Sequence, residues 1–124
     1  MAAVTILAAL LMSQASASTI TVQSGVESYD VGASDLLAGR AQSAIERINS
    51  NKSLPAEDPA AHINLGTAYA MHGNQAAAMQ HYRAAYASEE RYDVELADGS
   101  IADSRHLAAT VLKKLKRGTL LASK

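Results

Sequence analysis

Two helix-period segments separated by a two-residue break constrain this chain more than any other feature. Apolar residues recur with a helical period from Ile63 to Met71 and again from Ala78 to Tyr86. Between them, Gly73-Asn74 supplies the chemistry of a turn that needs a left-handed residue. Asp58 can cap the first segment, and Pro59 suits its first turn. Helices joined by so tight a turn must lie antiparallel, so the sequence predicts a helix hairpin.

Seven residues of this hairpin stand at the offsets of the tetratricopeptide repeat, a helix hairpin of about 34 residues, and the chain resembles that family. The repeat-defining residues are Leu65, Gly66, Tyr69, Gly73, Ala78, Tyr82 and Ala85. In the family, small residues let the helices approach and aromatic residues fill the groove between them. Two positions depart from the pattern, because His62 stands where the family prefers Trp and Glu90 stands where Pro usually ends the unit.

Comparing the sequence with itself at the repeat length of about 34 residues reveals a divergent earlier copy. Shifted by one repeat, four residues align with Gly66, Gly73, Ala78 and Tyr82, and these are Gly32, Gly39, Ala44 and Ile48. A single repeat cannot bury its own hydrophobic face, so a neighbouring repeat is expected. The sequence therefore predicts a divergent repeat over residues 25–58, with a helix at Ala41 to Ser50, followed by the repeat over residues 59–92.

The C-terminal part predicts a capping helix over residues 103–117, with Asp103 or Ser104 as its cap, Gly118 as its end and residues 118–124 as a tail. Residues 93–102 are predicted to form a hairpin or loop around Asp98-Gly99, and apolar and polar residues alternate before this turn. Residues 18–24 are predicted to form an N-terminal extension, in which apolar and polar residues alternate in the same way. A small sheet and an irregular loop both remain open for these segments. The predicted fold class is predominantly all-α: antiparallel helix hairpins like tetratricopeptide repeats, a C-terminal capping helix and a small β element.

Residues 1–17 resemble a cleavable signal peptide. The apolar run Val4 to Met12 precedes Ala15-Ser16-Ala17, a small-x-small pattern for cleavage. The run is too short to cross a hydrocarbon core of about 30 Å, so no stable membrane insertion is expected. Residues 1–17 carry no Lys or Arg, and an ordinary N-terminal helix is the alternative. The prediction is an exported protein, periplasmic or secreted.

Composition and motifs argue against catalysis. The net charge is −1, Cys is absent, and none of the 4 His forms an i, i+4 pair. No nucleophile motif or phosphate-binding glycine loop is present. We therefore expect no enzyme activity, no cofactor, no metal site and no nucleic-acid partner.

The resemblance implies that the inner face of the first helix binds a protein or peptide. By position this face comprises Ala60, Ile63, Asn64, Thr67, Ala70 and Met71. It lacks the Lys and Arg residues with which the family clamps a C-terminal carboxylate, so an apolar helix or extended segment is the expected partner. Two alternatives remain: a self-associating structural envelope protein, or a binder of anionic surfaces through the basic residues between Lys113 and Arg117.

Overall fold

The computed structural model of the chain describes residues 21–23 and 30–122, with side chains as far as residue 118. The described elements, in chain order, are β1 Val22–Gln23, α1 Ala33–Leu37, α2 Ala41–Ser50, α3 Pro59–Met71, α4 Gln75–Ala87, β2 Asp93–Leu96, β3 Ile101–Asp103 and α5 Ser104–Ala122. The predicted fold class, predominantly helical with a small β element, is confirmed. The signal-peptide prediction over residues 1–17 lies outside the described residues, as do residues 18–20 and 24 of the predicted extension and residues 25–29 of the predicted divergent repeat.

Helices α3 and α4 form the predicted hairpin. The Asp58 carboxylate accepts a hydrogen bond from Ala61 N at 2.9 Å and caps α3. After α3 ends, Gly73 takes a φ of 81°. Asn74 then caps α4 by accepting a hydrogen bond from Ala77 N at 3.1 Å. Each helix thus begins with a side chain that satisfies one of its free backbone N–H groups.

Helices α1 and α2 form a second, smaller hairpin at the offset of one repeat. Helix α2 has the predicted bounds, whereas α1 has only 5 residues. The turn between them contains Gly39 with a φ of 80°, close to the 81° of Gly73. The two turns therefore use the same left-handed conformation, which glycine adopts without steric penalty.

A glycine also faces the second helix of each hairpin. A Cβ placed on Gly32 would lie 3.3 Å from the side chains of Ala44 and Ile48. A Cβ placed on Gly66 would lie 2.6 Å from the ring of Tyr82. Both hairpins therefore place a glycine against matching positions of their second helix, and the closer contact is in the α3–α4 hairpin.

The three strands form an antiparallel sheet in the order β1-β2-β3, so the alternating segments do pair. Val22 of β1 pairs with Leu96 of β2, and Val94 of β2 pairs with Ala102 of β3. The predicted turn joins β2 and β3, with Asp98 Oδ1 accepting a hydrogen bond from Ser100 N at 2.9 Å. Hydrogen bonding of the Ser100 side chain and backbone lowers the pKa of Asp98.

Helix α5 is longer than predicted. Asp103 caps it by accepting a hydrogen bond from His106 N at 2.8 Å, and the helix continues to Ala122 rather than ending at Gly118. A glycine inside a helix destabilises it by only about 1 kcal/mol relative to Ala, so Gly118 alone does not stop it. The buried face of the helix consists of Leu107, Ala108, Val111 and Leu115.

Polar contacts join the ends of α3, α4 and α5. Ser88 Oγ donates to the carbonyl of Glu57 at 2.6 Å, and Arg105 Nη2 donates to the carbonyl of Ser88 at 2.7 Å. The Tyr92 hydroxyl donates to the Asp58 carboxylate. We call this cluster the polar junction, and it holds the start of α5 beside the end of α4.

Candidate partner-binding groove

The face of α3 that the resemblance offers to a partner is mostly covered. Four of its six residues are each 0% exposed, namely Ala60, Ile63, Asn64 and Thr67. Ala70 is half-buried, and Met71 is 39% exposed. The expectation of an open surface over all six residues is therefore corrected, since only Ala70 and Met71 are accessible.

For Asn64 the cause of this burial is a segment of the chain itself. Asn64 Oδ1 accepts a hydrogen bond from Val22 N at 2.9 Å, and Asn64 Nδ2 donates to Val22 O at 2.7 Å. The same Nδ2 donates to Val31 O at 2.7 Å. Strand β1 and Val31 thus lie against Asn64 on the inner face of α3. We call this inner face, where the two segments lie, the groove.

Asn64 contacts main-chain atoms in the groove. Its side-chain amide presents a donor and an acceptor next to each other, as a neighbouring β-strand would. Strand β1 therefore has β2 along one edge and the Asn64 amide along the other. A bond to the main chain does not depend on the side chains of the bound segment. The Asn64 amide thus holds an extended segment of the chain itself, with the Val22 side chain, 1% exposed, entering the core.

Buried hydroxyl groups join α3 to α4 beneath the groove. Thr67 Oγ1 donates to the carbonyl of Ile63 at 3.1 Å and lies 3.0 Å from the hydroxyl of Tyr82. Burial raises the pKa of Tyr82, so its phenol stays neutral. Among the repeat-defining residues, Tyr69 is half-buried, Gly73 is exposed in its turn, and the others are buried, namely Leu65, Gly66, Ala78, Tyr82 and Ala85.

Two histidines face each other between α3 and α4. His62 Nδ1 lies 3.0 Å from His81 Nδ1, and the rings stack with centroids 5.3 Å apart. Tyr69 also stacks with His81, at 5.4 Å between centroids. Burial, followed by the proximity of His62, lowers the pKa of His81. A search for histidines four residues apart on one helix misses this pair, whereas the antiparallel hairpin, which sets the first turn of α3 beside the middle of α4, could have revealed it.

The equivalent place in the first hairpin holds an ion pair. Asp35 and Arg47 precede Tyr69 and His81 by one repeat offset, and Arg47 Nε lies 2.8 Å from Asp35 Oδ2. Arg40 Nη2 lies 3.0 Å from Asp35 Oδ1. The Asp35 side chain is only 3% exposed, and the hydrogen bond from Arg47 lowers its pKa although burial opposes the shift.

Among the residues whose side chains the structure describes, large apolar side chains are exposed at four places, namely Leu37, Met71, Tyr86 and Ile101. Tyr86 lies on the predicted apolar stripe of α4, and the structure leaves it 50% exposed and outside the core. Within residues 21–23 and 30–122, no group of three or more His, Cys, Asp or Glu residues is arranged to hold a metal ion. None of the helices that the structure describes is long and apolar enough to cross a membrane.

Comparisons of the chain with protein-family models, with curated proteins and with solved structures found no match.

Proposed function

We propose that the chain is a small exported protein of the tetratricopeptide type that acts as a protein–protein interaction module. The observation that carries this proposal is the pair of hydrogen bonds that Asn64 makes with the N–H and C=O groups of Val22. A side chain used in this way recognises an extended polypeptide rather than a small molecule. Export is supported by the sequence pattern of residues 1–17 alone.

The chemistry of the groove favours an apolar extended partner. Its inner face contributes Ala60, Ile63 and Thr67, none of which carries a charge. Burying a charged side chain there without a counterion would be strongly unfavourable. A β-branched or other apolar residue at the position of Val22, flanked by uncharged polar residues such as Thr21 and Gln23, meets the requirements of the site.

Strand β1 is the resident occupant of this groove, and a partner segment would compete with it. A segment tethered within the same chain has an effective concentration on the order of millimolar. A partner in trans therefore binds weakly unless β1 is displaced. The experiment therefore weakens the binding of β1 first and then measures the binding of an added peptide.

A variant that weakens the resident strand tests the proposal. In Val22→Pro the residue loses the N–H that bonds to Asn64. A labelled synthetic peptide of residues 18–24 should then bind the variant measurably more tightly than the wild-type chain in fluorescence anisotropy. A matched peptide with Pro at the position of Val22 should not bind.

Adding Asn64→Leu to the Val22→Pro variant should abolish peptide binding, whereas adding Asn49→Leu at an exposed position of α2 should leave it unchanged. Circular dichroism shows which variants keep their helices. The proposal fails if a folded Val22→Pro variant does not bind the peptide, or if binding survives Asn64→Leu.

A further inference from the structure

The second half of α5 carries four exposed cations, Lys113, Lys114, Lys116 and Arg117, which we call the basic face. In the part of the chain that the structure describes, none of them lies within ion-pair distance of a carboxylate. The arginines that do form ion pairs there are Arg40, Arg47 and Arg91. The basic face is thus not neutralised by a described neighbour.

The position of α5 accounts for this isolation. The polar junction sets Arg105 beside Ser88 at the end of α4, so α5 runs back along α4 towards the Gly73 turn. Between Pro59 and Tyr82 the sequence contains no Asp, Glu, Lys or Arg. The part of the α3–α4 hairpin that the basic face approaches therefore offers it no counterion.

The opposite end of the molecule is acidic. Four exposed carboxylates flank the polar junction, and these residues, Glu57, Glu89, Glu90 and Asp93, form the acidic end. Arg91 is balanced there by Asp103, at 2.7 Å, and Arg105 is half-buried against the Ser88 carbonyl. At a rise of about 1.5 Å per residue, the basic face begins roughly 12 Å along α5 from Arg105.

We propose that the basic face of α5 docks on the acidic end of a second copy of this chain, so that copies associate head to tail. Charge complementarity on the same molecule carries the proposal. The two surfaces differ, so the contact is heterologous. Its repetition produces open chains of copies unless the rotation between them closes a ring.

The salt dependence of the association constant distinguishes this association from one through apolar residues. At about 10 mM salt the Debye length is about 30 Å, and at about 1 M salt it is about 3 Å. Contact between exposed charges therefore weakens as salt rises, while association through the exposed apolar residues or the N-terminal apolar run does not. Sedimentation equilibrium of the full chain should show an association constant that falls by at least about tenfold between these salts.

Charge reversal tests both surfaces. The basic-face variant is Lys113→Glu, Lys116→Glu and Arg117→Glu. The acidic-end variant is Glu89→Lys, Glu90→Lys and Asp93→Lys. Each should sediment as a monomer at low salt with wild-type helical content, because like charges then occupy both ends. An equimolar mixture of the two should associate again, since the ends of one variant complement those of the other.

A wild-type chain that stays monomeric at low salt overturns the proposal. Association that is insensitive to salt, or that both variants retain, also overturns it. Recruitment of the basic face to vesicles of anionic phospholipid, with no self-association at low salt, would replace it with a lipid surface as the partner. Failure of the mixture to reassociate, with both variants folded, would show that charge pairing between copies is not the contact.

Discussion

At the scale of single residues, Gly66 sets the distance between α3 and α4. The ring of Tyr82 fills the space in which a side chain at Gly66 would lie, and Tyr82 is itself fully buried. The ring has little room to withdraw, because interiors are packed as closely as organic crystals. The contact also explains why a tetratricopeptide-like pattern pairs a glycine with a large aromatic residue at this spacing.

Gly66→Ala should lower the free energy of unfolding by about 1–3 kcal/mol, the usual effect of overpacking a filled core. Urea unfolding followed by circular dichroism measures this change. Gly118→Ala is the matched control, because nothing lies within 4 Å of a Cβ at that helical position. That control should stabilise the chain by up to about 1 kcal/mol. Equal effects of the two substitutions would contradict the role given to Tyr82.

At the scale of elements, the two helix hairpins hold different kinds of contact at matching positions. The α3–α4 hairpin stacks Tyr69 on His81, whereas the α1–α2 hairpin pairs Asp35 with Arg47 at matching positions. The ion pair weakens when acid protonates the Asp35 carboxylate, whereas the Tyr69–His81 stack contains no carboxylate. The first hairpin is therefore the one whose stability is sensitive to protonation of a carboxylate.

Asp35→Asn should lower the free energy of unfolding at pH 7 by about 1.5–3 kcal/mol, the contribution of hydrogen bonds to a charged group. The pKa of Asp35 is lowered in the fold, so its charge contributes stability above the ordinary value of about 3.9. That contribution is lost as the pH falls through the lower pKa of the folded state. Urea unfolding at pH 7 and in acid should show the wild-type and variant stabilities converging, whereas the exposed control Asp93→Asn should track the wild type throughout.

His81 should titrate below the ordinary histidine pKa of about 6.5, because burial and His62 both disfavour its charge. A histidine with a lowered pKa contributes stability above the ordinary value and loses it as the pH falls towards the pKa of the folded state. NMR titration of the ring protons measures the pKa directly. His62→Gln should raise the pKa of His81, and His72→Gln at an exposed position should leave it unchanged. A His81 pKa above its ordinary value would contradict the geometry.

At the scale of the whole molecule, the polar junction connects the helices to the sheet. The Asp58 carboxylate caps α3 and also accepts a hydrogen bond from Tyr92, while Ser104 Oγ, at the start of α5, accepts one from Tyr92 N at 3.2 Å. A few buried polar groups therefore join elements that are distant in sequence. Loss of one such bond affects the stability of the whole fold rather than that of one helix.

Tyr92→Phe should lower the free energy of unfolding by about 1–3 kcal/mol, because the buried Asp58 carboxylate loses a hydrogen-bond donor. Thermal and urea unfolding measure the change. Tyr86→Phe, at a position that is 50% exposed, is the matched control and should have little effect. A Tyr92→Phe variant as stable as Tyr86→Phe would show that the polar junction does not contribute to the free energy of unfolding.

The sequence predicts the local parts of this structure well and the long-range parts poorly. Asp58, Gly73 and Asn74 carry their signals within a few residues, so the caps and the hairpin turn are predictable from propensity alone. The covering of α3 by β1 depends on Asn64 meeting Val22, and no short-range pattern encodes that contact. The same limit made the inner face of α3 look open, whereas the His62–His81 pair follows from the predicted antiparallel hairpin once its two helices are aligned.

The amide of Asn64 also determines the register of the strand in the groove. It bonds to the N–H and C=O of one residue, Val22 in this chain. Side chains alternate between the faces of a strand, so a shift by one residue would turn Val22 away from the core and bring Thr21 or Gln23 to the amide. In β1 this register places an apolar residue where the core accepts it, so a contact that touches only backbone fixes which side chain of the strand is buried.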